Sequence, residues 1–276
     1  NIPGDTHLCS AGSSSRSSNE LGVFLLMTDL GYMAVHDGDN NTSVNLQQWS
    51  GSNAGTFKDM AYGNNKFVVA KSAGGLLEST DNLSSSMNWT SIFNDGKDYK
   101  VEYGGGNFLA FRDNVIRCSS DNYSESHLSL FNNASILSAA YGDGKWVVVG
   151  GVGKAAYSTD CMNWTDGPIV GSQTWDLLKV VYGKNQFLAF NENESKYFYA
   201  SSDNISDNVS WTTKSSDYRF ADVSFIDNEF IGVAWDAKKI TMSDNMSFSW
   251  EDWGNNFQHY PEYITGGNNK LLVILN

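Results

Sequence analysis

The sequence predicts an all-β fold, a single β-propeller of four-stranded blades. Three observations predict it. A motif recurs about every 40 residues from end to end of the chain. Each copy reads as short strands broken by Gly, Asn and Asp turns, with no helical period. The 276 residues are 41% hydrophobic and 13% aromatic, with 26 Gly and 3 Pro, which supports a large core joined by tight turns rather than a disordered chain.

The motif begins with a small or apolar residue, an aromatic and Gly, then turn residues, then an aromatic that opens an apolar run. It reads Ala61-Tyr62-Gly63 leading to Phe67, Glu102-Tyr103-Gly104 leading to Phe108, Ala140-Tyr141-Gly142 leading to Trp146, and Val181-Tyr182-Gly183 leading to Phe187. Ser224-Phe225-Ile226 leading to Phe230 is a decayed copy, and Gly266-Gly267 leading to Leu271 is the last. The Asn-rich and Gly-rich dipeptides between aromatic and aromatic are hairpin turn chemistry. Strand A therefore ends at Tyr-Gly and strand B is the apolar run.

A second element follows each copy: a strand C ending in Ser-x-Asp, a loop, and a strand D carrying Trp. The copies are Asp81 with Trp89, Asp160 with Trp164, Asp203 with Trp211, and Asp244 with Trp250. Ser119-Ser120-Asp121 has Leu130-Phe131 in place of Trp, and the first copy is His36-Asp37 with Trp49. A flat four-stranded sheet cannot bury both faces alone. Packing such sheets side by side around an axis buries them.

The units span about 7–51, 56–92, 97–131, 135–168, 174–213, 217–252 and 259–276, in one domain covering 1–276. The last supplies only strands A and B. Seven blades is the preferred reading. The alternative is six blades, with 259–276 completing the first blade and closing the ring.

The Ser-x-Asp-loop-Trp element resembles the Asp box of sialidase-type propeller repeats, over essentially residues 7–276. The resemblance implies that Asp81, Asp121, Asp160, Asp203 and Asp244, with Trp89, Trp164, Trp211 and Trp250, are structural and distant from any active face. It does not imply sialidase activity. That site needs three arginines on a carboxylate and a Tyr-Glu pair, whereas the arginines here are Arg16, Arg112, Arg117 and Arg219, with no Arg-Ile-Pro motif.

The formal net charge is -13, which repels a phosphate backbone and an anionic membrane surface, so nucleic acid and membrane insertion are not expected. No run of 18 apolar residues is present. The chain starts at Asn1 rather than Met, which predicts a processed or excised segment. Cys9, Cys118 and Cys161 form an odd set without a Cys-x-x-Cys pair, so mostly buried, inert thiols are expected and no zinc site. No hydrolase or phosphate-loop motif occurs, and the His residues at 7, 36, 127 and 259 lack ligand spacing. No catalytic residue, cofactor or metal site is predicted, and calcium stays open because the loop with Asp37 and Asp39 lacks EF-hand order. Sequons at Asn40, Asn82, Asn122, Asn133, Asn193, Asn208 and elsewhere would be glycosylated in a eukaryotic secreted chain.

Alternating strand direction sorts the loops. The A–B turns and Asp-box loops share one face, and the B–C turns and D-to-A connections share the other. The second face carries the varied sequence, where binding usually sits. Its candidate ligand residues are Lys71 and Arg112, at equivalent places in adjacent blades, with Tyr99, Trp175, Tyr218 and Trp235 as aromatic platforms. The plainer reading makes the cations solvated charges paired with Asp113 or Glu192, and the aromatics loop plugs. The expected function is an extracellular or surface-exposed recognition module for a glycan or receptor. The second reading is an assembly domain docking protein partners or other subunits of a filament, virion or surface complex. A glycoside-active enzyme is the weakest.

Overall fold

A computed structural model describes residues 8–14, 23–28, 32–36, 47–48, 56–80, 89–172, 174–191, 196–201, 203, 205, 211–215, 219–234, 239–244, 249–256, 261–267 and 270–275. These form seven antiparallel sheets. The first holds β1 (Leu8–Ser14), β2 (Val23–Thr28), β3 (Tyr32–His36) and β4 (Gln47–Gln48). The second holds β5 (Phe57–Gly63), β6 (Lys66–Lys71), β7 (Gly75–Thr80) and β8 (Thr90–Phe93). The third holds β9 (Lys100–Gly104), β10 (Asn107–Arg112), β11 (Val115–Cys118) and β12 (Glu125–His127). The fourth holds β13 (Ile136–Gly142), β14 (Lys145–Gly150), β15 (Ala155–Ser158) and β16 (Thr165–Asp166). The fifth holds β17 (Leu177–Gly183), β18 (Gln186–Asn191), β19 (Lys196–Ser201) and β20 (Thr212–Ser215). The sixth holds β21 (Phe220–Ile226), β22 (Glu229–Ala234), β23 (Lys239–Asp244) and β24 (Ser249–Asn256), and the seventh β25 (Pro261–Gly267) and β26 (Lys270–Leu275).

The strands of each sheet pair in chain order. The first strands, β1, β5, β9, β13, β17, β21 and β25, lie side by side in sequence, and β25 lies beside β1, which closes the ring. Among the described residues β25 and β26 form their own two-stranded sheet and do not extend the first, which agrees with the seven-bladed reading. The A–B hairpins turn through left-handed residues, Asn64 and Asn65 at φ 48 and 55 and Gly105 and Gly106 at φ 57 and 80. Both central residues at positive φ match the twist of the flanking strands, which is why Asn and Gly sit there.

The buried side chains pack between blades. One cluster joins Leu109, Phe111 and Ile116 of the third blade to Trp146 and Val148 of the fourth, with Trp164 against it. Another joins Val147 and Val149 to Leu177, Phe187 and Phe198, with Trp211 against it. The periodic Phe67, Phe108, Trp146, Phe187 and Phe230 are all buried. Trp89, Trp164 and Trp211 stand just before strand D rather than within it.

The Tyr-Gly motif has a packing cause. The aromatic stacks on the residue opposite it in strand B, with ring centroids 4.6 Å apart for Tyr62–Phe67, 4.9 Å for Tyr103–Phe108, 5.2 Å for Tyr141–Trp146 and 4.8 Å for Tyr182–Phe187. It also covers the glycine of the preceding blade. A Cβ on Gly63 would overlap the Tyr103 ring, one on Gly104 would overlap Tyr141, one on Gly142 would overlap Tyr182, and one on Gly183 would overlap Phe225. The decayed copy obeys the same rule. The seventh blade has Gly266 where the second to sixth have an aromatic, and the sixth has Ile226, buried at 5%, where the second to fifth have Gly; the first blade has Ser13 and Ser14 at these two positions.

Cys118 and Cys161 form a disulfide between the third and fourth blades, spanning 43 residues of sequence. Both are buried as expected, but they are paired, which corrects the expectation of free inert thiols. The end of strand C in the third blade meets the loop after strand C in the fourth, a juxtaposition that cysteine counting does not reveal.

Asp160 builds the turn that its motif implies. Its Oδ1 accepts from the backbone N–H of Met162 at 2.9 Å and of Asn163 at 2.7 Å and from Ser158 Oγ at 3.0 Å, and its Oδ2 accepts from Asn163 Nδ2 at 2.7 Å. The Trp164 indole N–H donates to the Cys161 carbonyl at 3.0 Å. The backbone N–H of Asn163 leads the causes that hold the Asp160 carboxyl down to about 2. The third blade differs. Asp121 sits in a short 3-10 turn with Oδ1 buried and unbonded among the described residues, and Ser119 Oγ accepts from the Phe108 N–H instead. Asp203 is exposed, Asp244 ends β23, Trp250 lies in β24, and Asp81 lies outside the described residues.

Two outcomes follow from this packing. Gly142→Ala should lower stability by about 1–3 kcal/mol in urea unfolding, since the Tyr182 ring is held by Phe187 and cannot yield freely; a change within error would refute the contact. Asp160→Ala should cost ~1–2 kcal/mol at pH 7 through orphaned turn donors. Because the folded carboxyl is the more acidic, the wild type's advantage should vanish as pH falls from about 4 through about 2.

Candidate functional site

The ring of first strands encloses a central channel with a cavity of about 660 Å³. Much of its polar lining comes from one strand position, the fourth residue before the last of strand A. That position holds Asp59, Lys100, Ser138, Lys179, Asp222 and Tyr263 in successive blades. A bulge immediately precedes it in five of these strands, at Phe57/Asp59, Ile136/Ser138, Leu177/Lys179, Phe220/Asp222 and Pro261/Tyr263. A bulge re-aims the following side chain, here into the channel.

Where this residue is an acceptor, it takes a backbone N–H from the next blade. Asp59 Oδ2 accepts from Val101 at 3.0 Å, Ser138 Oγ from Val180 at 3.1 Å, and Asp222 Oδ2 from Ile264 at 3.1 Å. Where it is lysine the direction reverses: Lys100 donates to the Leu137 carbonyl at 2.7 Å, and Lys179 pairs with Asp222 Oδ1 at 3.0 Å. The ring thus stitches blade to blade and places charged side chains along the channel. Burial raises the Glu102 carboxyl, two residues beyond Lys100, to about 7; Asp59 and Asp222 push it the same way, and Lys179 and Lys100 oppose them. Burial lowers Lys100, whereas Asp222 and Glu102 outweigh burial at Lys179 and raise it. None of these residues was singled out from the sequence. Their signal, polar residues at a fixed place in otherwise apolar inner strands, was available in the repeat alignment.

The loops sort as their directions require. The B–C turns and D-to-A connections share one face and bond to one another. Ala73 N–H donates to Asp98 Oδ1 at 2.6 Å, Ile136 N–H to the Asp113 carbonyl at 2.6 Å, Val152 N–H to Asp176 Oδ1 at 2.9 Å and Val170 N–H to the Gly153 carbonyl at 2.7 Å. The A–B turns and strand-C loops share the other face, where Asn64 Nδ2 donates to the Gly106 carbonyl at 2.9 Å.

Of the described sequence candidates, Arg112 and Tyr99 lie together. Lys71 ends β6, half-buried. Arg112 ends β10 and pairs with Asp113 at 2.9 Å, as the plainer reading has it, with its guanidinium 5.3 Å from the Tyr99 ring centre. Tyr99 is only 2% exposed, so it is not the open platform expected. Its hydroxyl donates to Asp95 Oδ2 at 2.7 Å and accepts from Arg117 Nε at 2.9 Å. Arg117 also bonds Asp95 and Glu125 and lies 4.8 Å from the Phe93 ring centre, fastening the second blade to the third. Trp175 is half-buried against Phe198, with ring centroids 6.0 Å apart. Tyr218 and Trp235 lie outside the described residues. Among the described residues no cluster of His, Cys, Asp and Glu could hold a metal.

The Glu102 carboxyl gives a pH signature. Its ordinary value near 4.5 applies unfolded and about 7 applies folded, so the folded state keeps a proton that the unfolded state loses in between. The associated stability is full below about 4.5 and lost as pH rises through 7. Glu102→Gln should remove up to about 3 kcal/mol of pH-dependent loss between pH 5 and 8 in urea unfolding; equal slopes for both proteins would contradict it.

No family model matches the chain, and no curated protein does. Solved structures share its fold. Virginiamycin B lyase from Staphylococcus aureus aligns with a TM-score of 0.72 at 10% identity, over 96% of this chain and 91% of that one. YCF48 from Cyanidioschyzon merolae aligns at 0.70 and 12% identity, over 99% and 94%. YCF48 bound to D1 peptide aligns at 0.71 and 12%, over 98% and 89%. A chain of the mitotic checkpoint complex aligns at 0.70 and 8%, over 97% and 87%.

Proposed function

We propose that this propeller is a non-catalytic docking module for a protein partner, using the face built from the B–C turns and D-to-A connections. The observation that carries the reading is the bonding of those loops to one another, from Ala73–Asp98 around to Val170–Gly153. It makes a rigid platform from the most varied sequence of the repeat. Preorganised surfaces lose little conformational freedom on binding.

Two further points support it. The structural neighbours include YCF48 with a bound D1 peptide and a chain of the mitotic checkpoint complex, both protein assemblies on this fold. The burial of Tyr99 and the packing of Trp175 remove two of the ring platforms on which a glycan reading relied. The Cys118–Cys161 disulfide supports a secreted or surface location, where such bonds persist.

A displayed peptide library and a glycan array, both probed with the chain, test this. Peptides should be retained, and Lys71→Ala with Lys97→Ala, two lysines of this face, should weaken retention at least tenfold with unchanged melting. Glycan retention without peptide retention would replace docking by carbohydrate recognition.

A further inference from the structure

We propose that the seventh sheet accepts a β-hairpin from a partner protein, added antiparallel along the outer edge of β26. Six of the sheets have four strands, and this one has β25 and β26 alone among the described residues. In the other sheets strand B is bonded along both edges, as β6 is to β5 and β7 and β18 is to β17 and β19. β26 is bonded to β25, and no described strand runs along its second edge.

The sequence of β26 is that of an inner strand. After Lys270 it is wholly apolar through Leu275, like residues 67–70 of β6 and 146–149 of β14, strands bonded on both sides. The outermost strands of four other sheets read differently. Gln47 and Gln48 form β4, Thr165 and Asp166 form β16, and β12 and β20 are likewise short and polar. Short strands and charges are how native sheets blunt an edge that could pair with another chain. Beyond Lys270, β26 has neither charge nor proline. Val273 packs on the cluster of Ile226, Ile231, Val233 and Ile264, which fixes the strand against the sixth sheet.

The surroundings select the size of the occupant. The sixth and first sheets flank β25, and each continues for two strands beyond its strand B. With strands about 4.8 Å apart, β26 stands at the bottom of a slot ~10 Å deep. A second ring carries blades of its own and cannot reach that edge, whereas a hairpin fits. The strands that fill this place elsewhere define its chemistry. Near its start strand C has two adjacent buried apolar residues: Leu76 and Leu77, Val115 and Ile116, Tyr197 and Phe198. The partner segment is therefore a hairpin whose inner strand carries such a pair and whose outer strand is polar. Main-chain bonds to β26 supply affinity, and the apolar pair supplies specificity. This edge is separate from the loop face and does not depend on docking there.

A labelled synthetic peptide of residues 75–93, which holds strands C and D of the second blade, is the probe. Amide exchange read by NMR reports the edge. In the free chain the amides of 271–275 that point away from β25 should exchange faster than those of β18, and the peptide should slow them at least ~tenfold. By fluorescence anisotropy, the peptide with Leu76→Asp and Leu77→Asp should bind at least ~tenfold more weakly. So should the peptide N-methylated where its N–H groups would face β26, since its side chains are intact and only main-chain donors are lost. Lys71→Ala with Lys97→Ala in the chain should leave all of these results unchanged, so a failure here is read apart from a failure of the loop face. Outward amides of β26 as slow as those of β18 in the free chain would show the edge already filled. Equal binding of the three peptides, or slowing confined to other strands, would show no addition at β26. Self-association of the chain that protects β26 would put a second copy in place of the partner. Each of these three results would overturn the proposal.

Discussion

The contact on which the ring depends is an aromatic ring of one blade lying over a glycine of the blade before. Tyr103 covers Gly63, Tyr141 covers Gly104, Tyr182 covers Gly142 and Phe225 covers Gly183, each with no room for a Cβ. The same rings stack on the first aromatic of their own strand B, as in Tyr182 on Phe187 at 4.8 Å. One side chain thus fixes the hairpin within its blade and the distance to its neighbour. Close-packed interiors tolerate little deviation from such a fit. The spacing set at these four joints brings the first strands of the second to sixth blades side by side.

The channel chemistry follows from that closeness. With first strands adjacent, Asp59, Ser138 and Asp222 reach the N–H groups of the next blade, and Lys179 reaches Asp222. The bulge before this position supplies the aim. Polar residues in inner strands therefore stabilise the ring through satisfied bonds. Glu102, one step along the strand from that pattern, lines the same cavity, and its carboxyl is raised by burial and by Asp59 and Asp222.

Much of the fold was legible because the repeat writes its packing into the sequence. Tyr-Gly, the apolar run and the Ser-x-Asp turn mark strand ends, and the Asp160 loop is built as its motif implies. The two-faced sorting of loops follows from strand direction alone. The site was far less legible. Tyr99 reads as a loop aromatic, yet its partners Asp95 and Arg117 come from the D-to-A connection and the neighbouring strand C, which only the folded geometry joins. Cys118 and Cys161 are separated by 43 residues and pair because the end of strand C in one blade lies beside the loop after strand C in the next. Ile226 and Gly266 looked like decay of the motif, whereas they exchange small and large across one joint.

That exchange gives the sharpest test of the packing account. A double-mutant cycle on Ile226→Gly and Gly266→Tyr, measured by urea unfolding, asks whether the two positions behave as one joint. Each single change should destabilise, Ile226→Gly by leaving a void and Gly266→Tyr by overfilling. The double variant, which restores the arrangement of the other blades, should be more stable than the sum of the singles by at least ~1 kcal/mol. Additive effects would contradict the account.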